Sequence, residues 1–239
     1  MTKGIFVTAT GTDVGKTVIS AGLLRGLLLR GVRACYLKPV QTSAVADGAG
    51  SLLAPDVNTV CRAAGLNPDA ALRARMSPYV FSRACSPHLA ARLEGRAIGV
   101  SAIVERARAL HAEWEWLVVE GAGGILVPLN DGETMADLAS ALGFPVLLVA
   151  HSGLGTLNHV LLSLEALRRR GLVVDGVVLN DALPVTEDDR YLRDDNVAVI
   201  EALGATRVLA RVPFAGDPPD WTVVDRALEA GPLLTGCEA

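Results

Sequence analysis

Thr10-Gly11-Thr12-Asp13-Val14-Gly15-Lys16-Thr17 lies between a short apolar run, Gly4-Ile5-Phe6-Val7-Thr8-Ala9, and a helix-like run, Val18-Ile19-Ser20-Ala21-Gly22-Leu23-Leu24. A glycine-containing turn that joins a strand to a helix and closes on Gly-Lys-Thr is a cradle for phosphate. Its backbone N–H groups converge on the anion, and the helix N-terminus adds a favourable dipole. Lys16 is placed to reach the β and γ phosphates, and the Thr17 hydroxyl suits Mg²⁺. The stretch departs from the strict G-x-x-x-x-G-K-[ST] spacing. Thr10 holds the first place, Gly11 comes one residue late, and Ala9 precedes them. The alternative is a Gly-rich turn that binds nothing, but strand, loop, Gly-Lys-Thr and helix all agree in order.

The remainder of the chain suits that reading. Of the 239 residues 51% are hydrophobic and only 4% aromatic, so the core is aliphatic. Unbroken Val/Leu/Ile runs are the mark of parallel strands buried on both faces. Net charge is -4, and the one basic block, Arg168-Arg169-Arg170, sits just before Gly171. Cations belong in the last turn of a helix, so this block is read as a helix end and not as a nucleic-acid patch. Cys35, Cys61, Cys85 and Cys237 have no C-x-x-C spacing and give neither a zinc nor a redox signal. The N-terminal run is not a signal peptide, and no apolar run reaches membrane-spanning length. A soluble, cytoplasmic protein with no membrane or nucleic-acid partner is expected.

Apolar short runs alternate with amphipathic longer ones. Strands are expected at Gly4–Ala9, Ala34–Pro39, Trp116–Glu120, Val146–Ala150, Val174–Asn180 and Arg207–Val212. Helices are expected at Lys16–Arg30, Val57–Ala64, Pro87–Glu94, Ser101–Glu113, Met135–Leu142, Leu157–Arg170 and Asp195–Leu203. The alternation predicts an α/β fold with a mostly parallel β-sheet flanked by helices on both faces, P-loop NTPase-like by its Gly-Lys-Thr turn, in a chain long enough for one domain or two small ones. Right-handed crossovers put the strand C-terminal ends on one rim, where ligands bind. Thr42–Pro55, rich in Ala, Gly and Ser, lies on that rim as a mobile flap or a plain surface loop. Asp217-Pro218-Pro219-Asp220 reads as a turn.

Several strands end in chemically loaded residues. Lys38, followed by Pro39-Val40-Gln41-Thr42, leaves an apolar strand towards the space that Lys16 faces. It is a second cation for an anionic transition state or a solvated strand end. Glu120, ahead of Gly121-Ala122-Gly123-Gly124, ends a Val-rich strand at the place of a Mg²⁺-organising carboxylate. Asp56 is an N-cap or a further Mg²⁺ ligand. His151-Ser152-Gly153-Leu154-Gly155-Thr156-Leu157-Asn158 follows another buried strand, opens a long helix and offers a second anion site suited to a carboxylate. Asn180, before Asp181, is a turn residue or the partner of an adenine edge. The four histidines, His151 and His159 among them, form no catalytic or metal pattern.

These blocks in this order, together with Ser86-Pro87-His88, resemble the dethiobiotin synthetases from Phe6 to about Pro213. The resemblance implies a carbon–nitrogen ligase of biotin biosynthesis. It joins 7,8-diaminopelargonate, CO₂ and ATP into dethiobiotin, ADP and phosphate, through a carbamate and a carbamic-phosphoric anhydride. It implies that Lys16, Lys38 and Thr12 are catalytic, and that Thr17, Asp56 and Glu120 organise Mg²⁺. ATP would lie against Asp13, Val14, Gly15, Lys16, Thr17, Val18, Asp56, Glu120, Gly121, Ala122 and Gly123. Its adenine would lie near Asn180, Asp181, Pro213 and Phe214. Thr42 would contact the diamine, and Gly155, Thr156, Leu157 and Asn158 would receive its carboxylate across a homodimer. Ala9 stands where the family usually has the first loop glycine, and Ser43 where glycine is common.

Two relatives of the same nucleotide-binding group fit less well. Amidating cobyrinate synthases need a glutaminase domain with a nucleophilic Cys, and no Cys here has such a context. Partitioning-type ATPase switches carry a lysine early in the loop, where this chain has Gly11, and often a basic or amphipathic membrane tail, whereas this chain closes Gly236-Cys237-Glu238-Ala239.

Overall fold

The computed structural model describes residues 3–46, 50, 52–184, 186 and 189–229. Positions 47–49 and 51 of the proposed flap, and the closing residues 236–239 with Cys237, lie outside the described residues. The chain begins β1 (Lys3–Ala9), α1 (Lys16–Leu29), β2 (Ala34–Leu37), β3 (Val40–Gln41), β4 (Val45–Ala46) and β5 (Leu52–Leu53). It continues α2 (Pro55–Ala63), α3 (Ala70–Met76), β6 (Tyr79–Val80), α4 (Pro87–Leu93), α5 (Val100–His111), β7 (Trp116–Gly124) and α6 (Met135–Leu142). Then follow β8 (Val146–His151), α7 (Thr156–Arg169), β9 (Val174–Asn180), α8 (Arg190–Gly204), β10 (Val208–Val212) and α9 (Trp221–Glu229).

Six strands form one sheet in the order β10-β9-β8-β1-β7-β2, and every neighbouring pair is parallel. Val7, Val118, Val119, Leu147, Leu148, Val178 and Leu179 are wholly buried, as both faces of the sheet are covered. The chain moves from β1 to one side for β2 and β7, and to the other for β8, β9 and β10. The crevice where the order reverses, outside the C-terminal ends of β1 and β7, is where such sheets bind ligands.

The six sheet strands match the expected runs, with shifted ends. β7 runs on through the glycines to Gly124, because Gly124 pairs with Ala9 across a register shift in β1. β2 stops at Leu37, because the Lys38 N–H turns out of the sheet and donates to the Met76 carbonyl at 2.8 Å. α8 starts at Arg190, earlier than Asp195. Two helices went unread. α3 is capped by Asp69, whose side chain accepts from the Leu72 N–H at 2.7 Å. α9 follows the turn at 216–219 and packs Val224 and Leu228 against Gly22 of α1. A Cβ at Gly22 would lie 2.6 Å from Leu228, so the glycine sets how closely α1 and α9 approach. The Arg25–Asp225 pair at 2.7 Å closes the same contact.

The arginine block ends α7 as expected. Arg168 donates to the carbonyls of Gly204 and Ala205, the orphan acceptors at the end of α8. Among the described residues no helix is long and apolar enough to cross a membrane.

Candidate active site

The loop between β1 and α1 is held in shape before any ligand arrives. Gly15 has φ 97, and a Cβ there would fall 2.1 Å from the Asn180 side-chain nitrogen, so glycine is required twice over. That nitrogen donates to the Val14 carbonyl at 3.0 Å and ties the end of β9 to the loop. The Lys16 ammonium donates to the Gly11 carbonyl at 2.8 Å. Gly11 itself is open, with nothing near the position of a Cβ, whereas Ala9 is wholly buried at the end of β1 with no left-handed φ. The backbone at Ala9 therefore makes no demand for glycine. Ser43 differs: its φ of 58 lies in the region that favours glycine, which is a physical reason for glycine to be common there.

Glu120 is the hub. It is wholly buried, and its two oxygens accept three bonds. Oε1 receives the Thr17 hydroxyl at 2.9 Å and the Lys38 ammonium at 2.7 Å, and Oε2 receives the Tyr36 hydroxyl at 2.8 Å. Tyr36 and Lys38 are two apart and so share one face of the β2 chain. Leu37 pairs with Val119, which brings that face against the next residue of β7. Lys38 also lies 2.6 Å from Asp56 Oδ2. Asp56 is not the N-cap of α2. Ala54 holds that place with Pro55 next, and the Asp56 N–H donates to Gln41 Oε1 at 3.2 Å. With its backbone capped by Gln41, the Asp56 carboxylate is left to face Lys38.

The two lysines differ electrostatically. Burial, and then the Lys38 ammonium, push Lys16 down to about 8. Burial also acts against the Lys38 charge, but the Glu120 and Asp56 carboxylates outweigh it and hold the group above its ordinary value. Burial, and then Glu120, raise Tyr36 well above the usual phenol range, so it remains a donor.

Thr12, Asp13, Gly15, Lys16, Thr17 and Val18 line one cavity of about 500 Å³ with Lys38, Thr42, Asp56, Glu120, Ala122 and Gly123. Val14 and Gly121 are buried behind it, the Gly121 carbonyl 3.4 Å from Lys38 Nζ. At the neighbouring rim Asn180 pairs with Val212, and Pro213 and Phe214 follow directly, Phe214 being 37% exposed. The Asp181 carboxylate is committed elsewhere, to Arg193 and Ser152. Gly155, Thr156, Leu157 and Asn158 do not line this cavity. They begin α7, whose N-cap Gly155 provides no side-chain bond, and the buried Thr156 hydroxyl has no partner. The Tyr36, Gln41, Arg193 and Asn196 contacts were not read from sequence. Only the Tyr36-x-Lys38 alternation carried a local sign of one.

The oxygen donors Thr17, Asp56 and Glu120 are of the kind a hard divalent cation prefers. Among the described residues no three His, Cys, Asp or Glu side chains make a self-sufficient metal site.

A parallel sheet, a glycine-hinged phosphate loop at its switch point and a buried lysine–carboxylate cluster beside that loop define a P-loop nucleotide-binding protein. A family model described as "AAA domain" matches residues 3–217. A relative from Anaeromyxobacter dehalogenans strain 2CP-C, named ATP-dependent dethiobiotin synthetase BioD, is 42% identical over 97% of this chain and 97% of its own. One of the same name from Anoxybacillus flavithermus is 36% identical over 88% of this chain and 91% of its own. The chain belongs to the family of the ATP-dependent dethiobiotin synthetases, a family of enzymes. Solved structures share the fold. Chloroplast FtsY of Physcomitrella patens aligns with TM-score 0.55 at 15% identity, over 95% of this chain and 65% of that one. The MinC:MinD complex of Aquifex aeolicus aligns with TM-score 0.56 at 12% identity, over 98% of this chain and 88% of that one.

Proposed function

We propose that this protein, acting as one domain, joins 7,8-diaminopelargonate, CO₂ and ATP into dethiobiotin, ADP and phosphate. The observation that carries the reading is Lys16 and Lys38 lining one cavity of about 500 Å³ over the buried carboxylate of Glu120. One amine of the diamine attacks CO₂ and loses a proton, giving a carbamate. A carbamate oxygen attacks the γ-phosphorus and ADP leaves. The second amine attacks the carbonyl carbon of the mixed anhydride, phosphate departs, and the ureido ring closes. Little acid–base chemistry is asked of the protein. It must hold anions against cations in the right geometry.

Lys16 and the N–H groups of the loop hold the β and γ phosphates, and Lys38 with Thr12 holds the carbamate. Thr17, Asp56 and Glu120 would hold Mg²⁺, which would supply charge neutralisation to the triphosphate. Once anions arrive, Lys16 has a better partner than the Gly11 carbonyl, and Lys38 can exchange Asp56 for the carbamate. Thr42 contacts the diamine, and Asn180 with the Pro213–Phe214 backbone holds adenine.

The uncapped start of α7, with its unpaired Thr156 hydroxyl, receives the substrate carboxylate from the other subunit of a homodimer. An apolar surface supports the dimer: Leu126 and Leu162, 51% and 57% exposed, flank a groove of about 460 Å³. Leu154, 91% exposed, precedes α7. The test is ATP hydrolysis that requires diamine, bicarbonate and Mg²⁺ together. Turnover unchanged when the diamine is omitted sinks the reaction, and a fully active monomer in sedimentation sinks the shared site.

A further inference from the structure

The turn between β8 and α7 has almost no packing of its own. A Cβ built at Gly153 or Gly155 meets no atom within 4 Å, and Leu154 between them is 91% exposed. The turn is instead gripped from α8. Asn196, 2% exposed, donates through Nδ2 to the Ser152 carbonyl at 2.8 Å and to the Gly153 carbonyl at 3.4 Å. Arg193, 7% exposed, donates through Nε to Ser152 Oγ at 2.9 Å and Asp181 Oδ1 at 3.2 Å. The Ser152 hydroxyl donates to the same Asp181 oxygen. Asp181 lies next to Asn180, which holds the phosphate loop through Val14. A buried ion pair adds little net stability over an apolar cluster of the same volume, but it fixes geometry because each member must keep its partner. Here the geometry it fixes is the path from the end of β9 to the first turn of α7.

We infer that Arg193 and Asn196 are positioning residues that lock the turn before α7 onto the end of β9 and so set the pose in which α7 receives the diamine carboxylate. This rests on the proposed reading of the α7 N-terminus. Ser152, Arg193 and Asn196 do not line the cavity of about 500 Å³, so their loss falls on the diamine carboxylate and not on the triphosphate. In Asn196→Ala, the KM for the diamine rises about tenfold, the effect of losing a hydrogen bond's worth of positioning. kcat and the KM for ATP change less than about twofold, since the phosphate loop retains its own contacts. Ser152→Ala separates Arg193 from the turn without altering α8, and it shifts the same constant in the same direction.

A second readout needs no activity. Amides 160–162 take their helical partners from the first turn of α7, so their hydrogen exchange quickens in both variants while the amides of α1 hold. An unchanged diamine KM in both variants, an equal rise in the ATP KM, or unchanged exchange at 160–162 overturns the clamp. A wild-type protein that makes no dethiobiotin from diamine, bicarbonate and ATP overturns the functional reading itself, and the two failures are therefore distinct.

Discussion

Replacing Lys38 by Met retains the apolar stem and removes the charge. The ammonium lies 2.6 Å from Asp56 and 2.7 Å from Glu120, with Lys38 only 4% and Glu120 0% exposed. Removing one partner of such a buried pair strands the other charge and costs about 3–5 kcal/mol. In a chain of this size each kcal/mol lowers the melting temperature by about 2–4 °C, so a fall of roughly 6–20 °C is expected. Thr17 and Tyr36 still donate to Glu120, at 2.9 and 2.8 Å, which favours the smaller part of that range.

The pH dependence has a definite sign. In the wild type the Lys38 pKa is raised above 10.5, so its contribution is complete at neutral pH and is lost only as pH rises through the raised value. With Lys38 in its proposed place beside the carbamate, loss of that one preorganised charge lowers kcat by about 10²–10³-fold. ATP binding survives, because Lys16 and the loop amides are untouched. Thermal melts from pH 5 to 8, nucleotide titration and a product assay cover all three effects. A melting temperature within about 2 °C of wild type, below even the smallest expected cost, together with wild-type dethiobiotin formation would refute the argument.

Lys16, held at about 8 against 10.5 when unfolded, binds fewer protons folded than unfolded, so stability rises with pH between those values, by roughly 3 kcal/mol in all. Triphosphate restores its charge. ATP binding near pH 8.5 should therefore take up protons, seen as a buffer-dependent heat in calorimetry; a buffer-independent heat contradicts this, and Lys16→Met should abolish the effect. Tyr36→Phe leaves Glu120 Oε2 buried without its donor and costs about 1–3 kcal/mol in urea unfolding, whereas an unchanged midpoint would mean Tyr36 has no part in holding Glu120. Ser43→Gly relieves a φ of 58, with a net gain of up to about 1 kcal/mol after the added backbone entropy of glycine, and a clear loss of stability would show that Ser43 is not strained.

Much of the fold was legible because its signals are local. The apolar runs of β1, β7, β8 and β9 and the Gly-Lys-Thr turn announce themselves within a few residues. α9 was hidden by the Pro-rich turn before it, and its apolar face has meaning only against Gly22, some two hundred residues earlier in sequence. α3 carries its own cap, Asp69, but at seven residues it is too short to show a period. Asp56 was ambiguous for a related reason. Whether a carboxylate caps its helix or faces outward depends on Gln41, which takes over its N–H from a different element.

By itself the sequence determined the class of the fold, the order of its elements and which residues stand at strand ends, because burial pattern and turn chemistry are set over short windows. Only the tertiary structure decided what those residues do to one another. Tyr36 meets Glu120 across 84 positions, and Asn180 reaches Val14 across 166. Lys16 and Lys38 acquire opposite pKa shifts although both are buried lysines beside one cavity. Burial disfavours both charges. Lys38 is bonded directly to Glu120 and Asp56, which outweigh it, whereas Lys16 is bonded to the Gly11 carbonyl, and the pull of the carboxylates on it does not offset burial and the Lys38 charge.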